Sequence, residues 1–136
     1  MSAAKTTTYT EGIGRRKTST ARVRLTPASA TKITVNNKPL AEYFTNLSHQ
    51  KDVQSVLETA DAGIEDYTIT AQVNGGGISS QAEAIRLGIA RALVKEKAER
   101  RSPLKLLGFL KRDPRSVERK KFGLRKARKR PAWSKR

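Results

Sequence analysis

The side chains in this sequence that can do chemistry are mostly cations, and a first group of them lies near the start of the chain. Residues 15–24 contain no acid and five cations, namely Arg15, Arg16, Lys17, Arg22 and Arg24. Serine and threonine hydroxyls separate them in the run GIGRRKTSTARVRL. Such groups bind phosphate and ribose well and read base identity poorly. The segment therefore predicts contact with a nucleic-acid backbone, and an ordinary solvated hairpin is the alternative.

The end of the chain carries a second and larger group of cations. Residues 111–136 contain 13 Lys or Arg against two acids, a net charge of +11 out of +17 for the whole chain. Phe122 and Trp133 lie among them and can stack on bases or fold back onto a core; both alternatives stay open for Phe122, and we favour stacking for Trp133. A solubility or targeting signal is the alternative for the whole run. We expect phosphate contacts from Lys111, Arg112, Arg115, Arg119, Lys120, Lys121, Arg125 and Lys126.

Three consecutive glycines, Gly75, Gly76 and Gly77, stand between a predicted strand and a predicted helix. Free N–H groups at a helix N-terminus favour an anion, and missing side chains allow a nucleic-acid backbone to approach closely. A tight turn that needs positive φ is the alternative. The loop lacks both the GK[ST] ending of a nucleotide-binding loop and the spacing of a dinucleotide fingerprint, which argues against nucleotide hydrolysis.

Catalytic and metal-binding groups are scarce. The chain has no Cys and one His, His49, which has no acid or Ser partner at a suggestive spacing and which we expect on the surface. Disulfides, thiolate metal sites, His-rich metal sites and a Cys nucleophile are excluded. We therefore predict that the chain is not an enzyme and has no cofactor, no metal and no small-molecule substrate.

Membrane and export signals are also missing from the sequence. No run approaches the roughly 18 apolar residues of a membrane-spanning helix, and the start MSAAKTTTYT lacks the apolar run of a signal peptide. We expect a soluble, unexported, cytoplasmic chain without a membrane partner. Ser/Thr-rich, acid-poor starts also occur in transit peptides, so a plastid remains an alternative.

Alternating apolar and polar residues predict three strands, at residues 20–25, 33–35 and 67–73. In the first of these, one face is apolar while Arg22 and Arg24 point outward. Asn36 and Asn37 after the second tolerate the left-handed backbone of a turn. The sequence therefore predicts a sheet with one buried face and one polar face.

Helical spacing predicts three helices after these strands. The first contains Val53 to Ala60 and stops at Gly63. The second opens at Ser80, with Glu83 as its capping-box partner. The third is short, with Ser102 and Pro103 at its start and Leu104, Leu107 and Leu110 on its apolar side.

Charge and composition divide the chain into three parts. Residues 1–8 form a disordered or variable N-terminus, residues 9–110 a globular head, and residues 111–136 an extended basic tail. The tail has few large apolar residues, so it cannot offset the cost of ordering its backbone, about 1 to 2 kcal/mol per residue, without a partner. Residues 38–85 carry seven acids and two Lys, a net charge of −5, and we expect them to face away from a polyanion.

Several motifs together resemble one protein family. GIGRRKTSTARVRL, VNNKPLAEYF, VNGGGISSQAEAIRLGIARAL, LLGFLKRDPRSVERKKFG and the final SKR occur in the order found in ribosomal protein nine of the bacterial small subunit. The resemblance covers about residues 9–136. Each motif alone is weak, but five in this order over nearly the whole chain are highly specific.

The resemblance implies an α/β (α+β) fold of the ribosomal-protein-five second-domain type, in which a four-stranded sheet has helices on one face. It also implies binding to small-subunit ribosomal RNA in the head of the subunit, next to other head proteins. The tail would thread between RNA segments and reach the transfer RNA in the peptidyl site. On this basis the ribosomal-RNA contacts are the cations named above with Phe122 and the glycine loop, and the transfer-RNA contacts are Arg128, Ser134, Lys135 and Arg136.

This sequence departs from the family's usual pattern in the tail. Phe122 replaces a common Tyr and loses its hydroxyl, and Arg130 adds a cation. Ala132 and Trp133 also differ from the residues common there, so the contacts of this stretch are less safely transferred than those of the final SKR.

Two other classes of protein are alternatives to this interpretation. A DNA-binding architectural protein also uses a basic tail, but it usually needs a groove-entering helix or ribbon and dimer symmetry, and neither is evident. A nucleotide-using enzyme needs a metal-binding acid and a phosphate-reaching Lys near residues 75–81, and the sequence has neither there.

Overall fold

The computed structural model describes residues 8–59 and 66–135, and in them a mixed α/β fold is built on one sheet. The strands are β1 (Thr10–Arg16), β2 (Ser19–Pro27), β3 (Lys32–Val35), β4 (Lys38–Pro39) and β5 (Tyr67–Asn74). They lie in the order β1-β2-β5-β3-β4, with β3 and β5 parallel and the other neighbours antiparallel. The three predicted strands are confirmed as parts of β2, β3 and β5.

The expected number of four strands is wrong, because a fifth strand of two residues closes one edge of the sheet. Asn36 and Asn37 adopt positive φ values of 47° and 66° and turn the chain back beside β3. Lys38 and Pro39 then pair with β3, and the pairing ends at Pro39, which has no backbone N–H to donate.

The helices are α1 (Leu40–Tyr43), α2 (Leu47–Thr59), α3 (Ile78–Glu96) and α4 (Arg101–Leu106), with a short 3-10 helix at Ala98–Arg100 before α4. One face of the strands and the helices share a single apolar core. On the other face, the alternate residues of β2 and β5 are exposed or half-buried. We call this polar face the open face of the sheet.

The starts of two helices differ from the predictions. Helix α3 begins at Ile78, and Ser80 lies inside its first turn, buried, with its hydroxyl accepting the N–H of Gly77 at 3.0 Å. The predicted pair of Ser80 with Glu83 is wrong because Glu83 binds a cation of β1 instead. Helix α4 begins at Arg101, so Ser102 and Pro103 lie in its first turn.

The apolar positions predicted for the first and third helices are partly confirmed. Val53 and Val56 of α2 are buried, while Ala60 and the predicted stop at Gly63 lie outside the described residues. Leu104 is buried in α4 and Leu110 packs half-buried against the core, but Leu107, which follows the end of the helix at Leu106, is exposed. From residue 111 to 135 there is no helix or strand.

Strand β1 packs directly on α3 through glycines, which explains why its sequence shows no apolar alternation. A Cβ added to Gly14 would lie 1.8 Å from the carbonyl oxygen of Ala84, and one added to Gly12 would lie 2.3 Å from that of Gly88. Real Cβ atoms do not approach backbone atoms so closely. The sheet and helix therefore touch backbone to backbone here.

Candidate nucleic-acid interface

The first group of cations is divided between the two faces of the sheet. The β1–β2 register places Arg15, Arg22 and Arg24 on the open face, while Lys17 occupies the hairpin turn with a φ of 52°. Arg16 points the other way and is only 9% exposed. The acids Asp52 and Glu58 lie on α2, which packs against α3 on the helical side. The exposed cations and these two acids thus lie on opposite sides of the sheet, whereas β5, from the same segment 38–85, contributes to the open face; Asp61 and Glu65 lie outside the described residues.

An acid from outside the basic segment nevertheless reaches the open-face arginines. The register sets Glu11 opposite Arg24, and its carboxylate lies 3.1 Å from Nε of Arg22 and 3.8 Å from Nε of Arg24. The Arg24 guanidinium also lies 4.6 Å from the centre of the Tyr9 ring. The acid-free count of residues 15–24 therefore missed a neighbour that only strand pairing brings close.

We expect Glu11→Gln to raise the affinity of the full chain for RNA about threefold at low salt, because phosphates would no longer compete with this carboxylate. Fluorescence anisotropy with a labelled RNA measures the effect. Glu58→Gln on α2 makes the same change of charge away from the open face and should have a smaller effect. Equal effects of the two variants would show that Glu11 does not restrain the arginines.

Arg16 joins strand β1, helix α3 and the start of the tail in what we call the tail clasp (Arg16, Glu83, Asp113 and Arg115). Its Nε donates to Oε2 of Glu83 at 2.5 Å, and its Nη2 lies 3.6 Å from Oδ2 of Asp113. Its Nη1 donates to the carbonyl oxygen of Arg115. Arg16 was predicted to bind ribosomal RNA, but the structure uses its guanidinium inside the protein, where it holds the point at which the tail leaves the head.

Removing the central cation of the tail clasp should weaken the fold. We expect Arg16→Met to lower the free energy of unfolding by about 2 to 3 kcal/mol, since Glu83 and Asp113 lose their shared partner while half-buried. Urea unfolding measures the stability, and the rate of proteolysis after residue 111 reports release of the tail. Arg15→Met, on the exposed neighbour, is the matched control; a loss no larger than the control's would rule out the clasp.

Hydrogen bonds from the side chain and backbone of Arg115 hold the pKa of Asp113 well below its ordinary value of 3.8. Because the folded pKa is lowered, this stabilisation is fully present at pH values above the ordinary pKa and is lost progressively as the pH falls from there through the lowered value. We expect an NMR titration of the Asp113 carboxyl to have its midpoint below the ordinary Asp range, and Arg115→Ala to move the midpoint up toward 3.8. An ordinary midpoint in the unmodified chain would contradict the contact.

The tail beyond the clasp presents most of its cations to solvent. Glu118 binds Lys121 and Arg128, which lower its pKa, and the Arg128 contact is 2.9 Å long. Phe122 is 98% exposed and Trp133 is 86% exposed, so neither folds back onto the core. Over the whole tail, the predicted phosphate-binding cations that are exposed are Lys111, Arg112, Arg115, Arg119, Lys120, Arg125 and Lys126. Ser134 and Lys135 are exposed as well, and Arg136 lies outside the described residues.

The glycine loop is a tight turn that packs on the β1–β2 hairpin. Gly75 and Gly76 have φ values of 75° and 62°, which confirms the turn interpretation. Added Cβ atoms would lie 2.6 Å from the carbonyl oxygen of Thr18 and 2.0 Å from Oγ of Ser19. Gly77 precedes α3 and has open space beside it. The loop therefore sits next to the hairpin turn that carries Lys17.

Sequence reasoning missed one cluster and misplaced one residue. Thr20, Asn37, Gln72 and Asn74 line a cleft of about 420 Å³ on the open face beside Arg22. The outward positions of the strand at 67–73 indicated part of this cluster, but Asn37 lies in the turn between β3 and β4, which strand pairing alone brings next to it.

His49 is half-buried with its ring 6.2 Å from that of Phe44, so its expected surface position is wrong. Within residues 8–59 and 66–135, no helix is long and apolar enough to cross a membrane.

The chain matches the family model of ribosomal protein S9/S16 over residues 14–136. It is 50% identical over 127 residues to the small ribosomal subunit protein uS9 of Gloeothece citriformis, which covers 92% of this chain and 90% of that protein. It is 51% identical over 124 residues to the proteins of the same name from Mycobacterium bovis and Mycobacterium tuberculosis, over 91% of this chain and 81% of theirs.

These matches confirm the resemblance drawn from the motifs and the prediction that the chain is not an enzyme. Its role is structural, as a component of the small subunit of the ribosome. The chain belongs to the ribosomal protein S9/S16 family.

Proposed function

We propose that the head binds small-subunit ribosomal RNA through its open face, hairpin turn and glycine loop, while the tail threads between RNA segments. The observation that carries this proposal is the arrangement of charge, with exposed cations on the open face and 13 Lys or Arg in the last 26 residues. A thin cationic tail neutralises phosphates that would otherwise repel one another in a crowded RNA interior. The proposed protein partners are the neighbouring proteins in the head of the small ribosomal subunit.

The same proposal assigns the end of the tail to the transfer RNA in the peptidyl site. Arg128, Ser134, Lys135 and Arg136 offer guanidinium, hydroxyl and ammonium donors, which suit the backbone of transfer RNA rather than its bases. Affinity should therefore depend little on the anticodon. Arg16 is left out of the RNA-binding set, because the tail clasp uses its guanidinium.

Two further assignments, the fold type and the compartment, belong to this proposal. The sheet with helices on one face is compatible with the ribosomal-protein-five second-domain type, which we propose as the fold, with residues 9–110 as the head and 111–136 as the tail. The relatives named above are bacterial, and we place the chain in cytoplasmic ribosomes, with plastid ribosomes as the alternative.

The test compares tagged full chain with a chain ending at Ala132 in a lysate, by sedimentation and by mapping crosslinked RNA. We expect both forms to sediment with small subunits. The shortened chain, which keeps Arg128 but lacks Ser134, Lys135 and Arg136, should lose most of its crosslinks to transfer RNA. A chain lacking residues 2–8 is the control and should behave as the full chain does. A full chain that stays off ribosomes and crosslinks to DNA would overturn the proposal.

A further inference from the structure

We infer that the cleft on the open face is a binding site for one unpaired nucleotide of RNA. This inference rests on the proposed function and makes it more specific. The cleft of about 420 Å³ is lined by Arg22, Thr20 and four carboxamides. Asn36 pairs with the backbone of Val73, and the other three are Asn37, Gln72 and Asn74. Its volume lies within the range of small-ligand pockets. A second, smaller hollow beside it shares Arg22, Asn37 and Gln72 and continues toward Arg24 and Thr34.

The wall of the cleft is held in place before any ligand arrives. The side chain of Asn36 donates to the carbonyl oxygen of Val73 at 2.9 Å and accepts from the Val73 N–H at 3.0 Å, so it extends the pairing of β3 with β5. Nδ2 of Asn36 also lies 3.4 Å from the hydroxyl of Tyr43, which donates to Gln81 of α3 at 2.7 Å. The turn is thereby fixed, and Asn37 follows it with a φ of 66°, exposed at the rim.

The chemistry of the lining matches a ribonucleotide. Arg22 supplies a cation for a phosphate, and each carboxamide offers both donors and an acceptor. Such groups pair with the edge of an unstacked base or with a ribose 2′-hydroxyl, the group that distinguishes RNA from DNA. Sequence-specific contact with RNA usually involves unpaired nucleotides in this way, because side chains cannot read the deep groove of an RNA duplex.

The charge and polarity of the open face favour RNA over a protein partner. Among the strand residues that the structure describes on this face, four cations, Arg15, Arg22, Arg24 and Lys32, stand against one acid, Glu11. The residues of β5 that point to this face are Thr68, Thr70, Gln72 and Asn74. Ile13 and Tyr9 are also exposed here, but charged and polar side chains outnumber them, whereas the cores of protein interfaces are depleted in charge.

The test measures the preference of the full chain for RNA over DNA, with a single-stranded RNA of 12 mixed nucleotides and the matching 2′-deoxy strand as probes. Anisotropy is recorded at a salt concentration that weakens the non-specific contribution of the tail. The variant carries Gln72→Ala and Asn37→Gly, the latter because Gly adopts the φ of 66° at this position without strain. Both residues are exposed, and Gln54→Ala on α2 is the control. We expect the double variant to lose about fivefold or more in RNA affinity and to lose the preference, with the salt slope unchanged.

A second readout locates the contact. On adding the RNA, the side-chain amide signals of Asn37, Gln72 and Asn74 should shift in the NMR spectrum of the full chain, and that of Gln54 should not. A wild-type chain without preference for RNA, or a double variant that keeps it, would overturn the nucleotide site while the tail still binds RNA. An open face that instead binds another subunit protein would give this same result. If the wild-type chain did not bind RNA at all, the proposed function would be overturned as well.

Discussion

A chain that ends at Leu110 should lose most of its salt-dependent affinity for RNA. The removed residues carry 13 Lys or Arg and two acids, and each phosphate they neutralise releases counterions on binding. A protein with 6 to 10 phosphate contacts loses about 10³- to 10⁵-fold in affinity between 50 and 200 mM salt. We expect the full chain to fall in this range and the shortened chain to show less than half of its salt slope.

The control for this experiment keeps the charge of the tail and changes the order of its residues. A chain in which residues 117–130 are scrambled has the same cations, so it should keep most of the salt slope while losing contacts that depend on the positions of Phe122 and Glu118. Anisotropy over a series of salt concentrations measures all three chains. If the chain ending at Leu110 kept the full slope, the head rather than the tail would supply the phosphate contacts.

Replacing Gly14 by Ala should be the most damaging single-methyl change in the head. The new Cβ would lie 1.8 Å from the carbonyl oxygen of Ala84 and 2.5 Å from the backbone nitrogen of Gly88, and neither backbone atom can rotate away. Strand β1 would have to move off α3 along the contact that the two elements share. We expect the free energy of unfolding to fall by about 3 kcal/mol or more, at the upper end for overpacking.

Urea unfolding of the full chain measures this loss, and Gly77→Ala is the matched control. Gly77 has a φ of −98° and no atom within 4 Å of an added Cβ, so its replacement should cost less than about 1 kcal/mol. Similar stability of the Gly14 and Gly77 variants would mean that β1 and α3 are farther apart than the structure has them.

The sequence predicted the interior strands of the sheet well because those strands bury side chains. In β2 and β5 the apolar residues alternate with polar ones, and Val23, Leu25 and Ile69 are buried as expected. Strand β1 escaped prediction because its inward positions include Gly12 and Gly14, which fill space with helix backbone instead of their own side chains. The two-residue strand β4 is too short to show any period.

The candidate interface was predictable as a list of cations but not as an arrangement. Local composition cannot tell that Arg16 faces inward toward Glu83, 67 residues away, while Arg15 faces out. Nor can it show that Glu11 neutralises part of the charge of Arg22 and Arg24. The cleft joins residues from two strands, β2 and β5, and from the turn between β3 and β4, so it exists only once strand pairing is known.

The most direct test of the proposed role is an electron cryomicroscopy map of small subunits purified through a tag on the N-terminus of this chain. We predict continuous density for residues 111–135 with ribosomal RNA on both sides, and the C-terminal residues directed at the peptidyl-site transfer RNA. A map in which the head is bound but the tail lies in solvent, or against protein instead of RNA, would contradict the account.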